Sequence, residues 1–183
     1  MLNMPEADNY KFPCEDIGMS QTENIDNIRP INEQDAAFLN SLMNCPSVLQ
    51  ALNEVPSKLQ EWTDAIKAWQ SDVDEEDYIV LYGNTPIGWL GINGLLNEDK
   101  TVYLKMAALL PNYQNRGFGT AAIQKLMFML RQKGFHRILL YTDQDNYAAQ
   151  ACYRKCGFKI IDSLTETMSN GKIIPRYIME VSL

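Results

Sequence analysis

The sequence predicts an α/β domain of the α+β type, with a mixed, mostly antiparallel sheet of about seven strands and about four flanking helices. Three observations predict it. Three strand-like runs separated by short turns follow one another between residues 78 and 109, as in an antiparallel meander. An amphipathic helix and a continuous apolar run come next, the order of a crossover between parallel strands. Two strand-like runs around Ser169-Asn170-Gly171, a strong hairpin signal, close the chain.

The composition is that of one globular domain. The chain has 183 residues, of which 46% are hydrophobic and 21% are charged, enough to bury a substantial core. Its formal net charge of −7 argues against broad binding to nucleic acid, which requires a basic surface. The same charge mildly favours cationic partners.

No segment of the sequence indicates a membrane or a metal. No apolar run approaches the roughly 18 residues needed to cross a bilayer, and the N-terminus lacks a basic segment followed by an apolar one. We therefore expect no membrane partner and a cytoplasmic location. The cysteines, Cys14, Cys45, Cys152 and Cys156, include no C-x-x-C pair. With one histidine in the chain, we expect buried reduced thiols and no metal site.

The chain divides into an arm and a domain. Residues 1–24 are polar and show no periodicity, and we expect them to form an N-terminal arm. The domain is predicted over residues 25–183. Its first strand is predicted over Ile25–Ile31, where Pro30 indicates a position near an edge of the sheet.

Two helices are predicted before the meander. The first starts at Asn32, with Asp35 in its first turn, and Pro46 interrupts it. The second starts at a capping box formed by Ser57 and Gln60. Its apolar stripe is predicted to form core or the wall of a groove, with a cage around a substrate as the alternative. The stripe consists of Leu59, Trp62, Ile66 and Trp69.

The acidic run over residues 72–77 is predicted as a solvated loop that ends the second helix. The later elements are predicted in this order: strands Tyr78–Tyr82, Ile87–Ile92 and Thr101–Leu109, helix Ala121–Lys133, strand Arg137–Thr142, a helix capped by Asn146, and strands Lys159–Leu164 and Ile173–Val181. Gly134 is expected just beyond the C-terminus of the longer helix.

The junction between the third strand of the meander and the next helix reads Gln114-Asn115-Arg116-Gly117-Phe118-Gly119-Thr120. Two glycines separated by one residue let backbone N–H groups approach an anion, and the helix N-terminus adds partial positive charge. On the glycines alone, a tight turn is an equally good interpretation. Read as Gly117-x-Gly119-x-x-Ala122, with Asp143 downstream, the stretch half-matches a dinucleotide-binding fingerprint. The meander conflicts with that alternative, because dinucleotide-binding domains begin with βαβ units.

Two segments resemble the signature of the GNAT superfamily of acyl-CoA-dependent N-acetyltransferases. The run from Leu109 to Gly119 is similar to its acyl-CoA motif, Gln/Arg-x-x-Gly-x-Gly/Ala, often preceded by a proline such as Pro111. Asn146-x-x-Ala149-x-x-x-Tyr153-x-x-x-Gly157-Phe158 resembles the second half of the signature. The resemblance covers the chain from Ile25 to the C-terminus. It implies the GNAT fold, in which two parallel strands at the centre of the sheet splay apart.

The resemblance also implies acetyl-CoA as the cosubstrate. Backbone N–H groups of the glycine stretch would face the pyrophosphate, with Arg116 adding charge nearby, and the pantetheine arm would lie between the splayed strands. The residues implied in cofactor binding are Leu109, Leu110, Gln114, Asn115, Arg116, Gly117, Phe118, Gly119, Thr120, Asn146 and Tyr153.

Tyr153 is the catalytic residue that the resemblance implies, since a tyrosine O–H can protonate or hydrogen-bond the departing CoA thiolate. Its helical spacing also fits an ordinary core tyrosine. Many relatives place a glutamate base on the long strand, but residues 101–110 contain no acid and one base, Lys105. Candidates for the base lie elsewhere, with a bound water as the alternative. They are Asp143, Asp145, Glu61 and the acidic run from Asp74 to Asp77.

The predicted function is transfer of an acetyl group from acetyl-CoA to a primary amine, by direct attack in a ternary complex. The acidic balance slightly favours a small cationic amine over a protein N-terminus or a lysine side chain. A homodimer is compatible with the sequence. Two alternatives are a non-catalytic CoA-binding regulatory module and an NAD(P)-binding oxidoreductase.

Overall fold

One seven-stranded sheet forms the centre of the domain, in the order β1-β2-β3-β4-β5-β7-β6, in a computed structural model that describes residues 27–183. The strands are β1 (Asn27–Pro30), β2 (Glu75–Tyr82), β3 (Thr85–Asn93), β4 (Thr101–Leu109), β5 (Arg137–Asp143), β6 (Lys159–Thr167) and β7 (Ile173–Ser182). Among these strands, β4 and β5 form the one parallel pair. The predicted α+β class and mostly antiparallel sheet are confirmed. The predicted arm over residues 1–24 lies outside the described residues.

Five α-helices flank the sheet in the described part of the chain. They are α1 (Ala36–Met43), α2 (Pro46–Leu52), α3 (Leu59–Ser71), α4 (Phe118–Gln132) and α5 (Tyr147–Lys155). Pro46 is the first residue of α2, where a proline costs no intrahelical hydrogen bond. The predicted interruption therefore separates two short helices, which adds one to the four that the sequence predicts. Within residues 27–183, no helix is long and apolar enough to span a bilayer.

The start of α3 differs from the predicted one. The helix begins directly after Lys58, whose backbone N–H donates a 2.7 Å hydrogen bond to the Glu61 side chain. The predicted capping box of Ser57 and Gln60 is therefore wrong. The Ser57 hydroxyl instead accepts a 2.7 Å bond from Nε1 of Trp62, which fixes that indole near the helix N-terminus.

The acidic run is only partly a loop. β2 begins at Glu75, and Asp77 is a buried residue of that strand, so the loop prediction is wrong for the second half of the run. The carboxylates are tolerated in a strand because Lys105 pairs with both of them. Asp74 remains in the connection, where its side chain accepts a 2.8 Å bond from the Leu96 N–H.

The core has two parts, one on each face of the sheet. The part under α4 and α5 includes Val80, Ile92, Leu126 and Ile138. The part under α1, α2 and α3 includes Leu39, Leu42, Ile66, Ile79 and Trp89. Because adjacent β2 residues such as Ile79 and Val80 enter opposite parts, both faces of this strand are buried.

The tryptophans of α3 pack on the sheet, as the apolar stripe predicts. Trp69 stacks on Trp89 of β3 with ring centroids 5.2 Å apart, and Trp62 meets Trp89 edge-on at 5.8 Å. Leu59 does not belong to this cluster, because it is 49% exposed. The stripe is a core element, and its tryptophans hold α3 against the sheet.

The parallel pair is short and then opens. Residues 101–104 of β4 pair with residues 137–140 of β5, and the two strands separate beyond these positions. On the other side of β4, the register with β3 skips Lys105, which marks a β-bulge at the point of separation. A bulge bends its strand and increases the local twist, so it directs β4 away from β5. The splayed pair that the resemblance implies is confirmed.

The glycine stretch leads into α4, which begins at Phe118 and not at the predicted Ala121. Gly117 precedes the helix with φ +91°, a conformation that side chains with a Cβ rarely adopt. Gly134 follows its C-terminus with φ +82°, as predicted. The glycines of the motif therefore lie at the first turn of α4, against the opening of the sheet.

Candidate active site

A cavity of about 310 Å³ lies where β4 and β5 separate. We call it the first cavity. Its walls are the end of β4, the first turn of α4 and one side of α5. Most residues implied in cofactor binding line it: Leu109, Gln114, Asn115, Gly117, Gly119, Thr120, Asn146 and Tyr153.

The mouth of the first cavity has a sharply turned backbone at the start of α4. Asn115 and Gly117 both have positive φ, +58° and +91°, so the backbone turns sharply before α4. No side chain caps the N-terminus of this helix. The N–H groups of its first turn therefore lack intrahelical acceptors and carry the positive end of the helix dipole. Such a curved run of N–H groups can bind a phosphate.

Gly119 lets α4 and α5 approach each other. A Cβ added there would lie 3.3 Å from Sγ of Cys152 and 3.6 Å from Cδ1 of Leu109. The first contact is tighter than ordinary packing, so a side chain at this position would displace the cavity wall. Asn146 aligns the opposite wall, because its side chain caps α5 by accepting a 3.1 Å bond from the Ala149 N–H, as predicted.

Three residues implied in cofactor binding lie outside the lining. The Leu110 N–H donates a 2.9 Å bond to the Ile87 carbonyl. Phe118 is 1% exposed and supports the glycine stretch from below. The Arg116 guanidinium lies 5.6 Å from the Phe118 ring centroid and donates a 3.2 Å bond to the Asn112 carbonyl. A cofactor contact for these three stays a prediction.

A second cavity of about 270 Å³ lies on the other side of the opening. It shares part of its lining with the first cavity. The residues common to both are Ala51, Leu52, Ala107, Asn146, Ala149 and Tyr153. A group bound in one cavity can therefore meet a group bound in the other at Tyr153.

Carboxylates outnumber cations around the second cavity. Glu54, Asp143 and Glu166 line it, together with Arg176 and Lys105. Arg176 pairs with Asp143 at 3.0 Å and with Glu166 at 2.6 Å. Glu54 accepts a 2.5 Å bond from the Ser169 hydroxyl. Since Lys105 pairs with Glu75 behind the cavity, the cavity has an excess of negative charge.

The second cavity has a roof made by distant segments. The side chain of Asn53, just after α2, donates a 2.8 Å bond to Asp143 at the end of β5. The hydroxyl of Ser169, in the β6–β7 turn, lies 3.3 Å from the Asn53 carbonyl. These bonds join α2, β5 and the hairpin over the cavity.

Tyr153 lies at the junction of the two cavities with 9% of its surface exposed. Its ring packs against Phe158 with centroids 5.8 Å apart, which fixes its orientation. Burial raises the pKa of Tyr153 well above its usual range, and the neighbouring Cys152 raises it further. The phenol therefore keeps its proton at neutral pH and can act as a donor.

The candidate general bases differ in their distance from the two cavities. Asp143 lines the second cavity, where Arg176 and Asn53 hold its two oxygens. Glu61 caps α3, and Asp145 is exposed outside both linings. Asp143 is thus the candidate that the structure brings to the cavities.

Lys105 and Asp77 form a buried cluster that sequence reasoning does not identify. Asp77 accepts a 2.7 Å bond from Nε1 of Trp89, and the Lys105 ammonium lies 4.5 Å from the Trp69 ring centroid. Burial raises the pKa of Asp77 to about 7, and the Trp89 bond partly offsets this. Burial lowers the pKa of Lys105 to about 8. Both groups titrate near neutrality beside the second cavity.

Four further residues of α5 that the motif does not single out line the first cavity: Ala148, Ala151, Cys152 and Lys155. Cys152 and Lys155 lie six and nine positions after Asn146. Lys155 lies three positions after Cys152, so counting turns of α5 places these two residues on the same side of the helix. Lys155 supplies a cation near an anion site.

The comparisons with known proteins agree with this architecture. Residues 38–158 match the Acetyltransferase (GNAT) family. By sequence, the chain is 40% identical over 83 residues to a [Ribosomal protein bS18]-alanine N-acetyltransferase of Haemophilus influenzae, covering 45% of this chain and 54% of the relative. It is 31% identical over 77 residues to N-alpha-acetyltransferase 30 of Schizosaccharomyces pombe, covering 42% and 51%. The chain spans about half the length of these curated relatives.

Solved structures show the same fold. Spermidine N-acetyltransferase from Vibrio cholerae, in complex with CoA and spermine, superposes with a TM-score of 0.77 at 20% identity, covering 85% of this chain and 94% of that one. The RimL ribosomal L7/L12 alpha-N-protein acetyltransferase in complex with coenzyme A gives 0.76 at 19% identity, covering 85% and 93%. The family match covers most of the chain, including both signature segments and the opening of the sheet. The chain belongs to the GNAT family of acetyltransferases.

Proposed function

We propose that this protein is an N-acetyltransferase that transfers an acetyl group from acetyl-CoA to the primary amine of a small cationic molecule. The observation that carries the proposal is the position of Tyr153 on the wall shared by two cavities. One cavity has the anion-binding mouth that a CoA pyrophosphate needs. The other has the polar, acidic lining that an ammonium compound needs.

Acetyl-CoA is assigned to the first cavity. Its pyrophosphate would bind the N–H groups at the start of α4, with Lys155 nearby, and its pantetheine arm would run along the opening beside Leu109. The thioester would then reach Tyr153. Structures similar to this chain that are described as complexes with CoA support this assignment.

The chemistry requires one bond to form and one to break. The amine nitrogen attacks the thioester carbonyl carbon, the C–S bond breaks, and the sulfur leaves as a thiolate. Tyr153 stabilises that thiolate by donating a hydrogen bond, since its raised pKa keeps the proton on the phenol. The amine loses one proton during the attack, and this proton reaches the thiolate through water or through Asp143. The sum is an amide and free CoA.

The acceptor is assigned to the second cavity by charge. Glu54 hydrogen-bonds to a neutral hydroxyl, whereas Asp143 and Glu166 share the single guanidinium of Arg176. A cationic acceptor would offset this excess of negative charge. The similar structure of spermidine N-acetyltransferase contains a ligand of this class, spermine.

A peptide N-terminus is the second candidate acceptor. The two curated relatives named above are an N-alpha-acetyltransferase and an alanine N-acetyltransferase of ribosomal protein bS18, and over the matched segments they are more similar in sequence than the solved structures are. The roof formed by Asn53 and Ser169 would admit the end of a chain more readily than its middle.

The test is release of free thiol from acetyl-CoA with a panel of acceptors, together with mass spectrometry of each acceptor. The panel contains a linear polyamine, an aminoglycoside, a peptide with a free N-terminus, and the same peptide with a blocked N-terminus and one lysine. We expect acetylation of the polyamine or the aminoglycoside above that of either peptide. Preference for the free N-terminus selects the second candidate.

The non-catalytic and oxidoreductase alternatives are separated by thermal shift with acetyl-CoA, CoA, NAD and NADP. A ligand that binds only the native state raises the melting temperature of the protein. Stabilisation by NAD and not by CoA would overturn the proposal. Stabilisation by acetyl-CoA without thiol release for any amine would indicate a binding module.

A further inference from the structure

Two cysteines of α5 meet at one residue of α4. Sγ of Cys152 lies 3.5 Å from Oγ1 of Thr120, and Sγ of Cys156 lies 3.6 Å from the Thr120 carbonyl oxygen. The two cysteines are one helical turn apart, so their side chains lie on the same side of α5. Thr120 belongs to the first turn of α4, directly after the glycines of the anion site.

The two thiols differ in access. Cys152 lines the first cavity and contacts Gly119, which lines it too. Cys156 is 7% exposed and belongs to the core under α4 and α5. A reagent that enters the first cavity therefore meets Cys152, and Cys156 lies behind it.

The two thiols also differ in reactivity. The hydrogen bond with Cys156 lowers the pKa of Cys152 to about 6, helped by the Thr120 hydroxyl and the charge of Lys155 and opposed by burial. The same pairing raises the pKa of Cys156 well above its usual range. The pairing therefore favours the thiolate at Cys152 and the thiol at Cys156, an arrangement suited to attack and resolution.

We propose that Cys152 and Cys156 form a redox-active pair in the wall of the first cavity, which reacts with low-molecular-weight disulfides. The Cys152 thiolate attacks one sulfur of the disulfide, forming a mixed disulfide and releasing one thiolate. Cys156 then loses its proton and attacks Sγ of Cys152, forming the Cys152–Cys156 disulfide and releasing the second thiolate. Two protein thiols are oxidised and one small disulfide is reduced to two thiols.

The bridge requires the last turn of α5 to move. The Cα atoms of positions four residues apart on a helix are about 6 Å apart, within the range that disulfides span, but their Cβ atoms are about 5–6 Å apart and must approach to about 4 Å. Cys156 is the residue that ends α5, where the backbone can adjust more easily than inside a helix.

The reaction would control access to the first cavity. A group attached to Sγ of Cys152 projects toward Gly119 and fills space beside the anion site. This consequence for acetyl-CoA rests on the proposed function. The thiol chemistry does not, because it depends only on the two cysteines and their contacts.

The experiment uses the full chain in a Cys14→Ser background. Reduced protein is treated with the disulfide of CoA or, in a parallel arm, with 2-hydroxyethyl disulfide, which lacks the nucleotide. Peptide mapping under non-reducing conditions follows each thiol over time, and Cys45 serves as an internal reference. We expect wild-type protein to give the Cys152–Cys156 bridge, the Cys156→Ser variant to retain a mixed disulfide at Cys152, and the Cys152→Ser variant to leave Cys156 unmodified.

Several results would overturn the proposal. They are reaction of Cys45 or Cys156 as fast as Cys152, absence of the bridge in the wild type, and absence of a stable adduct in the Cys156→Ser variant. Faster reaction of the CoA disulfide than of the small disulfide would show that the cavity selects the reagent. Equal rates would show that the reactivity of the Cys152 thiol, and not the shape of the cavity, determines which cysteine reacts. If the protein transfers no acetyl group but forms the bridge, the proposed function fails and the redox pair stands.

Discussion

Nζ of Lys105 lies 3.1 Å from Oδ2 of Asp77, at the bulge where β4 separates from β5. The carboxyl group of Asp77 is wholly buried, and its other oxygen accepts the indole N–H of Trp89. The pair therefore joins three neighbouring strands at the point that opens the sheet.

This pair predicts a pH dependence of stability. Burial raises the pKa of Asp77 from 3.8 to about 7, so the folded protein holds a proton that the unfolded chain releases. The contribution of Asp77 to the free energy of unfolding is highest below its unfolded pKa and is lost as the pH rises through about 7. Compared with the Asp77→Asn variant, wild-type protein should lose relative stability between about pH 5 and about pH 7.5.

The measurement is urea denaturation of both proteins across this range. The Asp99→Asn variant is the control, because hydrogen bonds from Thr101 lower the pKa of exposed Asp99, which therefore stays ionised throughout the range. The difference between wild type and this control should be flat. A wild-type stability that rises relative to Asp77→Asn over the same range contradicts the assignment.

We expect the Gly117→Ala substitution to weaken the binding of acetyl-CoA specifically. An alanine there is strained, because φ is +91°, and its Cβ would enter the open space of the first cavity. Gly171 has φ +80° with nothing near its Cβ position, and it lies in the β6–β7 turn. Alanine at either position should cost about 1–2 kcal/mol of stability. Only Gly117→Ala should raise the KM for acetyl-CoA, and an equal KM for the two variants would argue against the phosphate site.

Asn146 has two roles that substitutions can separate. It caps α5, and it lines both cavities. Asn146→Ala should destabilise the protein by about 1 kcal/mol, whereas Asn146→Ser should keep the cap. If the amide also contacts a substrate, both variants raise the KM for acetyl-CoA or for the amine. Full recovery of stability and kinetics in the serine variant would show that Asn146 acts only as the N-cap of α5.

We expect the Glu54 carboxylate to bind a positively charged acceptor. Removing its charge with Glu54→Gln should raise the KM for a cationic acceptor by about tenfold, the usual effect of losing a hydrogen bond to a charged group, while the KM for acetyl-CoA stays unchanged. Glu98→Gln, in the exposed β3–β4 connection, is the matched control. An unchanged acceptor KM in Glu54→Gln would remove this residue from the acceptor site.

Local patterns in the sequence were enough to predict most of the residues that line the first cavity. The turn before α4 and the cap of α5 each depend on residues close together in the chain, so their spacing carries the information. The β4–α4–β5 crossover then brings the two segments together. Tyr153 is indicated by the resemblance to the GNAT signature, in which it lies seven positions after Asn146.

The second cavity could not be predicted in this way. Glu54, Asp143 and Glu166 come from three distant segments. The sheet order brings Asp143 and Glu166 together, and the Ser169 hydrogen bond holds Glu54 beside them. The Asp77–Lys105 pair depends on strand register and on a one-residue bulge, neither of which composition reveals. Glu75 and Asp77 even argue against a strand by propensity, until their partner across the sheet is known.

The central claim is that Tyr153 serves the chemistry of two substrates that meet at its hydroxyl. The most direct measurement is steady-state thiol release by the Tyr153→Phe variant, with the best amine of the panel and acetyl-CoA. The account predicts a kcat lower by about 100-fold or more, with little change in the KM for acetyl-CoA. A variant that keeps the full kcat would contradict it.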